Sequence, residues 1–162
     1  MISNFNVKDM NKVSIRKARK EDLPILYRFE QELVNAERPF NETLKTGTIH
    51  YYDIECMIES KEAEVVIAEV NKELVGSGFA VIREGKPYVA FEKYVMLHFM
   101  YVLPTHRGKG ISQIIINALK DWASRQGIYE IRLDVYSENI AAVKAYKKVG
   151  FKSFLTTMRL DA

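Results

Sequence analysis

The residues best suited to chemistry gather in one stretch of this 162-residue chain. Arg107-Gly108-Lys109-Gly110 stands between an apolar, strand-like run and a helical one that opens with Ile111-Ser112-Gln113. The first turn of a helix leaves about four backbone N–H groups without partners. The helix macrodipole adds roughly half a positive charge at the same end. Gly108 and Gly110 carry no Cβ to hold an anion away from those donors, and Arg107 and Lys109 add positive charge. Together these features suffice to bind a pyrophosphate. Two commoner phosphate loops do not fit. The P-loop requires Gly-Lys followed at once by Ser or Thr, whereas Gly110 is followed by Ile111-Ser112. The dinucleotide fingerprint requires three glycines, and Gly76-Ser77-Gly78 has no third partner. Taken alone, Arg-Gly-Lys-Gly is as easily a flexible turn with solvated charges.

A second constellation lies some thirty residues further on. Asn139, Ala142, Tyr146, Gly150 and Phe151 spell N-x-x-A-x-x-x-Y-x-x-x-G-F. With both motifs present, the sequence resembles the GNAT superfamily of N-acetyltransferases. The acetyl-CoA motif of that family reads Arg/Gln-x-x-Gly-x-Gly/Ala. Residues 107–112 match it, except that Ser112 replaces the final small residue. Val102-x-Pro104 before the motif is also typical of the family. Motif similarity covers about residues 100–151, and the order of elements agrees over nearly the whole chain.

The resemblance implies acetyl-CoA as acyl donor, an amine as acceptor, and direct attack in a ternary complex. It implies a GNAT α/β fold, a mixed and mostly antiparallel sheet of six to seven strands flanked by about four helices. The fourth and fifth strands would splay apart, with the pantetheine arm in the gap against Met100, Tyr101 and Val102. The pyrophosphate would rest on the amides of Gly108, Lys109, Gly110, Ile111, Ser112 and Gln113, with Arg107 beside them. Asn139 would contact the cofactor arm. Tyr146 matches the tyrosine that many members use to protonate the departing thiolate, although helical spacing alone makes it a core aromatic. Asp134 lies where some members carry a catalytic carboxylate, but it also fits a polar strand face beside Glu130 and Arg132. Dimers are frequent in the family, so a homodimer is compatible with the resemblance.

The reaction sets further demands. An amine resembling lysine has a free pKa of about 10.4 and is mostly protonated at neutral pH, so a base or a water chain must take a proton. The tetrahedral intermediate needs donors for its oxyanion, a task within reach of strand N–H groups such as that of Val102. Besides Asp134, the candidate bases are His98, whose facing a bulge would reverse, and Glu92. His106 reads as a solvent-facing residue of the turn. Three isolated histidines and one cysteine give no metal-site spacing. Glu30, Glu32, Glu37, Arg38, Tyr51 and Tyr52 fall where acceptor specificity is expected, because acid and aromatic groups suit an amine by charge and by cation–π contact. Solvated helix charges and packing tyrosines account for them equally. The competing reading is a GNAT-fold module that binds acyl-CoA as a sensor or partner domain without turnover.

These residues need elements to hold them. Residues 13–19 alternate as a first strand, and Asp22 N-caps a helix over 23–36 that tolerates Pro24 in its first turn. A polar, irregular stretch leads to a short helix over 53–59. Residues 64–70 and 74–83 form a hairpin turned at Asn71-Lys72, and a longer strand spans 93–103. Ile111, Ile114, Ile115, Ala118, Leu119 and Trp122 make one apolar stripe on the next helix, which Gly127 stops. A strand over 129–136, a helix capped by Asn139 and ended by Gly150, and a last strand over 151–160 complete the order. The organisation is an N-terminal arm (1–12) and a single domain (13–162).

Composition narrows the function classes. Hydrophobic residues at 48% and charged residues at 28% exclude a disordered chain. The longest apolar run, residues 94–103, is half of what a bilayer-spanning helix needs, and the N-terminus has no apolar core of signal-peptide length. Cys56 stands alone. A cytoplasmic protein without membrane association is expected. A net charge of +3 with scattered basic residues makes no stripe for a nucleic acid, apart from the short cluster of Arg16, Lys17, Arg19 and Lys20.

Overall fold

The computed structural model of the chain describes residues 13–162; the expected arm over 1–12 lies outside the described residues. The elements run β1 (Val13–Lys17), α1 (Leu23–Glu37), α2 (Ile54–Glu59), β2 (Ala63–Val70), β3 (Glu73–Glu84), β4 (Lys93–Val102), α3 (Ile111–Arg125), β5 (Ile131–Leu133) and α4 (Ile140–Val149). The strands form one sheet in the order β1-β2-β3-β4-β5, antiparallel except for the parallel β4–β5 pair.

Alternation along the strands divides the core between two faces. On one, Val66, Ala68, Val75, Ala80, Val95 and Leu97 meet Ile111, Ile115, Ile116, Leu119, Trp122 and Ala123 of α3. On the other, Val65, Ile67, Phe79, Val81, Phe99 and Tyr101 meet Leu26 and Phe29 of α1 and Ile54 of α2. The α3 stripe is turned slightly from the one expected: Ile116 and Ala123 are buried, while Ile114 and Ala118 are half-buried.

Gly76 and Gly78 explain how closely α3 approaches β3. A Cβ on Gly78 would stand 2.8 Å from both Ile115 Cγ2 and Met100 Sδ, and one on Gly76 would stand 2.9 Å from the Tyr101 carbonyl oxygen. This pair of glycines is a packing groove for the helix. At the hairpin, Asn71 (φ 51°) and Lys72 (φ 67°) both adopt the left-handed conformation, the pattern of a two-residue type I′ turn.

Sequence expectations change at three places, and the first is the strand expected over 129–136, of which only Ile131–Leu133 pairs with β4. Residues 151–162 form no strand, so the sheet has five strands and not six to seven. A strand needs a ladder partner, and β5, the neighbouring edge, is only three residues long. Phe154, Leu155, Met158 and Leu160 are accordingly 78–91% exposed. Asp22 sits at the start of α1 without capping it by its side chain. Its carboxylate is drawn back to the Arg19 N–H (2.7 Å) and to both terminal nitrogens of Arg16 (2.8 Å each), which holds its pKa below the usual range, chiefly through Arg16. Arg16 also pairs with Glu69, Lys17 with Glu64, and Lys20 with Glu55 and Glu59, so three of the four cations in that basic cluster are tied up locally.

Candidate active site

The sheet opens where β4 and β5 part. Their ladder covers only Val95–Leu97 against Ile131–Leu133, yet β4 continues to Val102. A bulge falls in the unpaired part: between Ser77 and Phe79 the β3 register slips, and Phe99 takes φ 57°. A left-handed aromatic residue costs about 1–2 kcal/mol, here offset by complete burial of the Phe99 ring against Tyr52 (centroids 5.5 Å apart) and by the buried Ser77 hydroxyl, which donates to the Phe99 carbonyl at 3.4 Å. The bulge changes the facing of everything after it. His98 and Phe99 both lie on the α1/α2 face, and Met100 and Val102 turn to the α3 face. His98 therefore does not share a side with Met100 and Val102, as simple alternation would have it.

Beyond β4, a 3-10 turn (Pro104–His106) leads into the α3 N-terminus. Gly108 (φ 73°) and Gly110 (φ 77°) are both left-handed, and a Cβ on either would meet no protein atom within 4 Å. Their glycine identity is thus required by backbone conformation and leaves the approach to the amides open. Gly110 is the N-cap residue, and no side chain caps the helix. A capping side chain is worth about 1 kcal/mol, whereas each fully buried aliphatic of Ile111, Ile115, Ile116 and Leu119 contributes roughly 1.5–3 kcal/mol. Packing therefore holds α3 in place with its leading amides available. Ser112 and Lys109 are half-buried, and Gln113 and Arg107 are exposed.

Arg107 folds back over the end of β4. Its Nε donates to the Val102 carbonyl at 3.0 Å, and its guanidinium carbon lies 5.9 Å from the centre of the Tyr101 ring. The Leu103 N–H, by contrast, donates to Val75 on β3. Val102 thus presents its peptide carbonyl to the open edge, and Met100 stands two residues earlier on that edge. The side chain of Tyr101 faces away, toward α1, where its hydroxyl donates to Glu32.

From the other side of the gap comes α4. Asn139 caps it, its Oδ1 accepting from the Ala142 N–H at 3.3 Å, and Gly150 (φ 111°) ends it. Tyr146 is half-buried against the α3-side core, edge-on to Phe151 at 6.0 Å. Burial, and then the negative charge of Glu37, push its phenol up to about 12, so it keeps its proton throughout the neutral range.

Among the candidate bases, Asp134 is exposed just past the end of β5, and its charge acts on His98. His98 is half-buried between the rings of Phe79 (5.1 Å) and Tyr52 (5.8 Å), and burial lowers its pKa. Glu92 precedes β4 and is separated from Val102 by the whole strand, roughly 30 Å, which removes it from the site. His106 is half-buried, with its Nδ1 3.0 Å from Thr105 Oγ1 within the same turn. Glu37 carries no motif in the sequence that sets it apart from the other acids of α1. It ends α1, is half-buried, and is the carboxylate whose charge reaches Tyr51, Tyr52 and Tyr146.

The residues around the gap suit a coenzyme A thioester: an uncapped helix end with two left-handed glycines for the diphosphate, an open strand edge for an amide-bearing arm, and a protonated phenol near the strand split. The relatives agree with that chemistry. Streptothricin acetyltransferase of Streptomyces lavendulae is 32% identical over 75 residues, 46% of this chain and 38% of the relative. L-Methionine sulfoximine/L-methionine sulfone acetyltransferase of Salmonella typhimurium is 30% identical over 87 residues, 54% of this chain and 49% of the relative. The chain thus spans less than half the length of each. Among solved structures, a tetramutant of a Bacillus halodurans protein superposes with a TM-score of 0.82 at 20% identity, covering 92% of this chain and 99% of that one. A predicted acetyltransferase of Clostridium acetobutylicum, solved with acetyl-CoA, gives a TM-score of 0.71 at 21% identity, covering 92% and 96%. At such identities these structures speak for the fold. The sequence model of the acetyltransferase (GNAT) family matches residues 27–151, which take in most of α1, both motifs and every strand of the sheet but the first. The chain belongs to the acetyltransferase (GNAT) family.

Proposed function

We propose that this protein is an N-acetyltransferase that moves the acetyl group of acetyl-CoA directly onto the amine of an acceptor held in the same complex. The observation that carries the reading is the pairing of two features at one end of β4. The α3 N-terminus is uncapped and opened by Gly108 and Gly110, and the strand edge beside it is left free by β5. The amides of residues 108–113 and the charges of Arg107 and Lys109 hold the diphosphate. Met100 and Val102 offer backbone groups to the pantetheine arm, and Arg107 releases the Val102 carbonyl as the arm arrives. Tyr101 contributes its peptide position and braces α1 through Glu32. Asn139 fixes the start of α4 by accepting from the Ala142 N–H, and contacts the cofactor arm.

The acceptor nitrogen attacks the thioester carbonyl, the C–N bond forms, and the C–S bond breaks. Tyr146 gives its proton to the thiolate, and a phenol kept neutral by burial is suited to that step. Relatives are named for acetylating streptothricin and aminoglycosides, both amine-bearing compounds. Acetyl-CoA presented with a panel of primary amines is expected to release thiol above the rate without amine. A panel that releases none, with acetyl-CoA bound normally, would leave a binding module in place of an enzyme.

A further inference from the structure

We infer that Glu30 is a positioning residue: with Gln31 it ties residues 49–52 to α1, so that the Tyr52 ring holds β4 in its bulged form and keeps the seat of the pantetheine arm in place. The clamp stands on its own geometry, and its effect on the donor rests on the acetyltransferase reading above.

Glu30 interrupts the buried stripe of Leu26, Phe29 and Val34 on α1, and its own side chain is fully buried. A carboxylate in such a place has to be satisfied by hydrogen bonds. Its partners all come from one short segment. Oε1 accepts the N–H groups of Tyr51 (2.8 Å) and Tyr52 (3.0 Å), and Oε2 lies 3.0 Å from His50 Nδ1. The next residue, Gln31, makes a reciprocal pair with Ile49: its Nε2 donates to the Ile49 carbonyl at 2.7 Å, and its Oε1 accepts the Ile49 N–H at 3.2 Å. Two neighbouring side chains of α1 thus hold four consecutive residues that belong to no helix or strand. Leucine at position 30 would extend the apolar stripe but leave the Tyr51 and Tyr52 N–H groups without their partner. The acid therefore serves the loop, and its carboxylate is not free to meet an acceptor.

What the clamp delivers is Tyr52. Its ring stands 5.8 Å from that of His98 and 5.5 Å from that of Phe99, and it meets Phe79 edge-on at 5.0 Å. Consecutive residues of a regular strand point to opposite faces. His98 and Phe99 instead lie under one ring on the same face, at the slip in the β3–β4 register. The left-handed Phe99 (φ 57°) persists only where its surroundings hold it. Tyr52 favours the bulged form by packing on both residues at once, because a regular strand would carry one of them to the other face. The bulge in turn sets Met100 and Val102 toward α3. Support runs from Glu30 through the loop backbone to Tyr52, then to His98 and Phe99, and on to the strand edge proposed for the arm.

Acetyl-CoA and ADP are the probes, since ADP carries the diphosphate without the arm. Calorimetry on Glu30→Leu is expected to show acetyl-CoA binding at least tenfold weaker and ADP binding within twofold of wild type. Glu30→Gln keeps an oxygen that accepts both N–H groups and should bind each probe within twofold of wild type. Tyr52→Leu should repeat the selective loss with the clamp intact, which covers a Glu30→Leu protein that fails to fold. Unchanged acetyl-CoA affinity in Tyr52→Leu or in folded Glu30→Leu, an equal loss of both probes, or a loss in Glu30→Gln as large as in Glu30→Leu would overturn the positioning role. Hydrogen exchange separates the clamp from the reading beneath it. The Tyr51 and Tyr52 amides should be protected in wild type and in Glu30→Gln, and unprotected amides in wild type would overturn the clamp. Protected amides in a wild type that binds acetyl-CoA no more tightly than ADP would defeat the arm seat of the acetyltransferase reading, and with it the effect on the donor, while leaving the clamp itself standing.

Discussion

Tyr146 shows how one residue can serve both packing and chemistry. It packs against Phe151 and the α3-side core, as its helical spacing alone suggests, yet burial also keeps its phenol protonated up to about 12. For a proton donor with a raised pKa, the active form is present below that pKa and lost only above it. No falling limb of kcat should therefore arise from Tyr146 between pH 7 and 10. Tyr146→Phe is expected to lower kcat at least tenfold while changing acetyl-CoA affinity less than twofold, as read from steady-state rates and equilibrium binding. Turnover equal to wild type at all pH values would reduce Tyr146 to a packing residue. The motif made Tyr146 legible in the sequence, and it equally marked the cradle glycines. Glu37 reads in the sequence only as one acid among several on α1, because the tyrosines at 51, 52 and 146 on which its charge acts come to it through the fold. Asp134 enters through the resemblance, five residues before Asn139, and strand alternation by itself only places it on a polar face.

At the scale of elements, the site depends on where α3 begins. Periodicity located the helices and the Asn71-Lys72 hairpin in the sequence within a few residues, since apolar stripes and left-handed turns are local properties. Nothing local announced the bulge at Phe99, which arises from pairing with Ser77 and Phe79 and turns Met100 and Val102 to the α3 side. Nor did composition reveal that a final strand over 151–160 lacks a partner. The Gly76/Gly78 groove sets the depth of α3, and a side chain there must push the helix outward. Gly78→Val would place new atoms against Ile115 and Met100, where contact is already below 3 Å for a single Cβ. Overpacking of this kind costs about 1–3 kcal/mol. Urea unfolding should show that loss, together with weaker acetyl-CoA binding because the α3 N-terminus moves with the helix. Full stability in the variant would mean that the groove does not set the helix position.

Across the whole molecule, the sheet acts as a wall between two cores, and the functional groups collect where the wall divides. The α3-side core fixes the uncapped helix end proposed for the diphosphate, and the α1/α2-side core takes in Tyr52 of the loop before α2. Leu103, just past the end of β4, packs against both cores, and in the proposed reaction donor and acceptor approach from opposite faces and meet where β4 and β5 part. The donor half can be tested apart from the acceptor. Gly108→Glu places a carboxylate in the mouth of α3, and Gly127→Glu imposes the same left-handed strain (φ 73°) and charge at the far end of the same helix. Calorimetric titration of acetyl-CoA into wild type and both variants is the most direct measurement. Abolished binding in Gly108→Glu with near-normal binding in Gly127→Glu is the predicted result. Wild-type affinity in a folded Gly108→Glu protein would contradict the account.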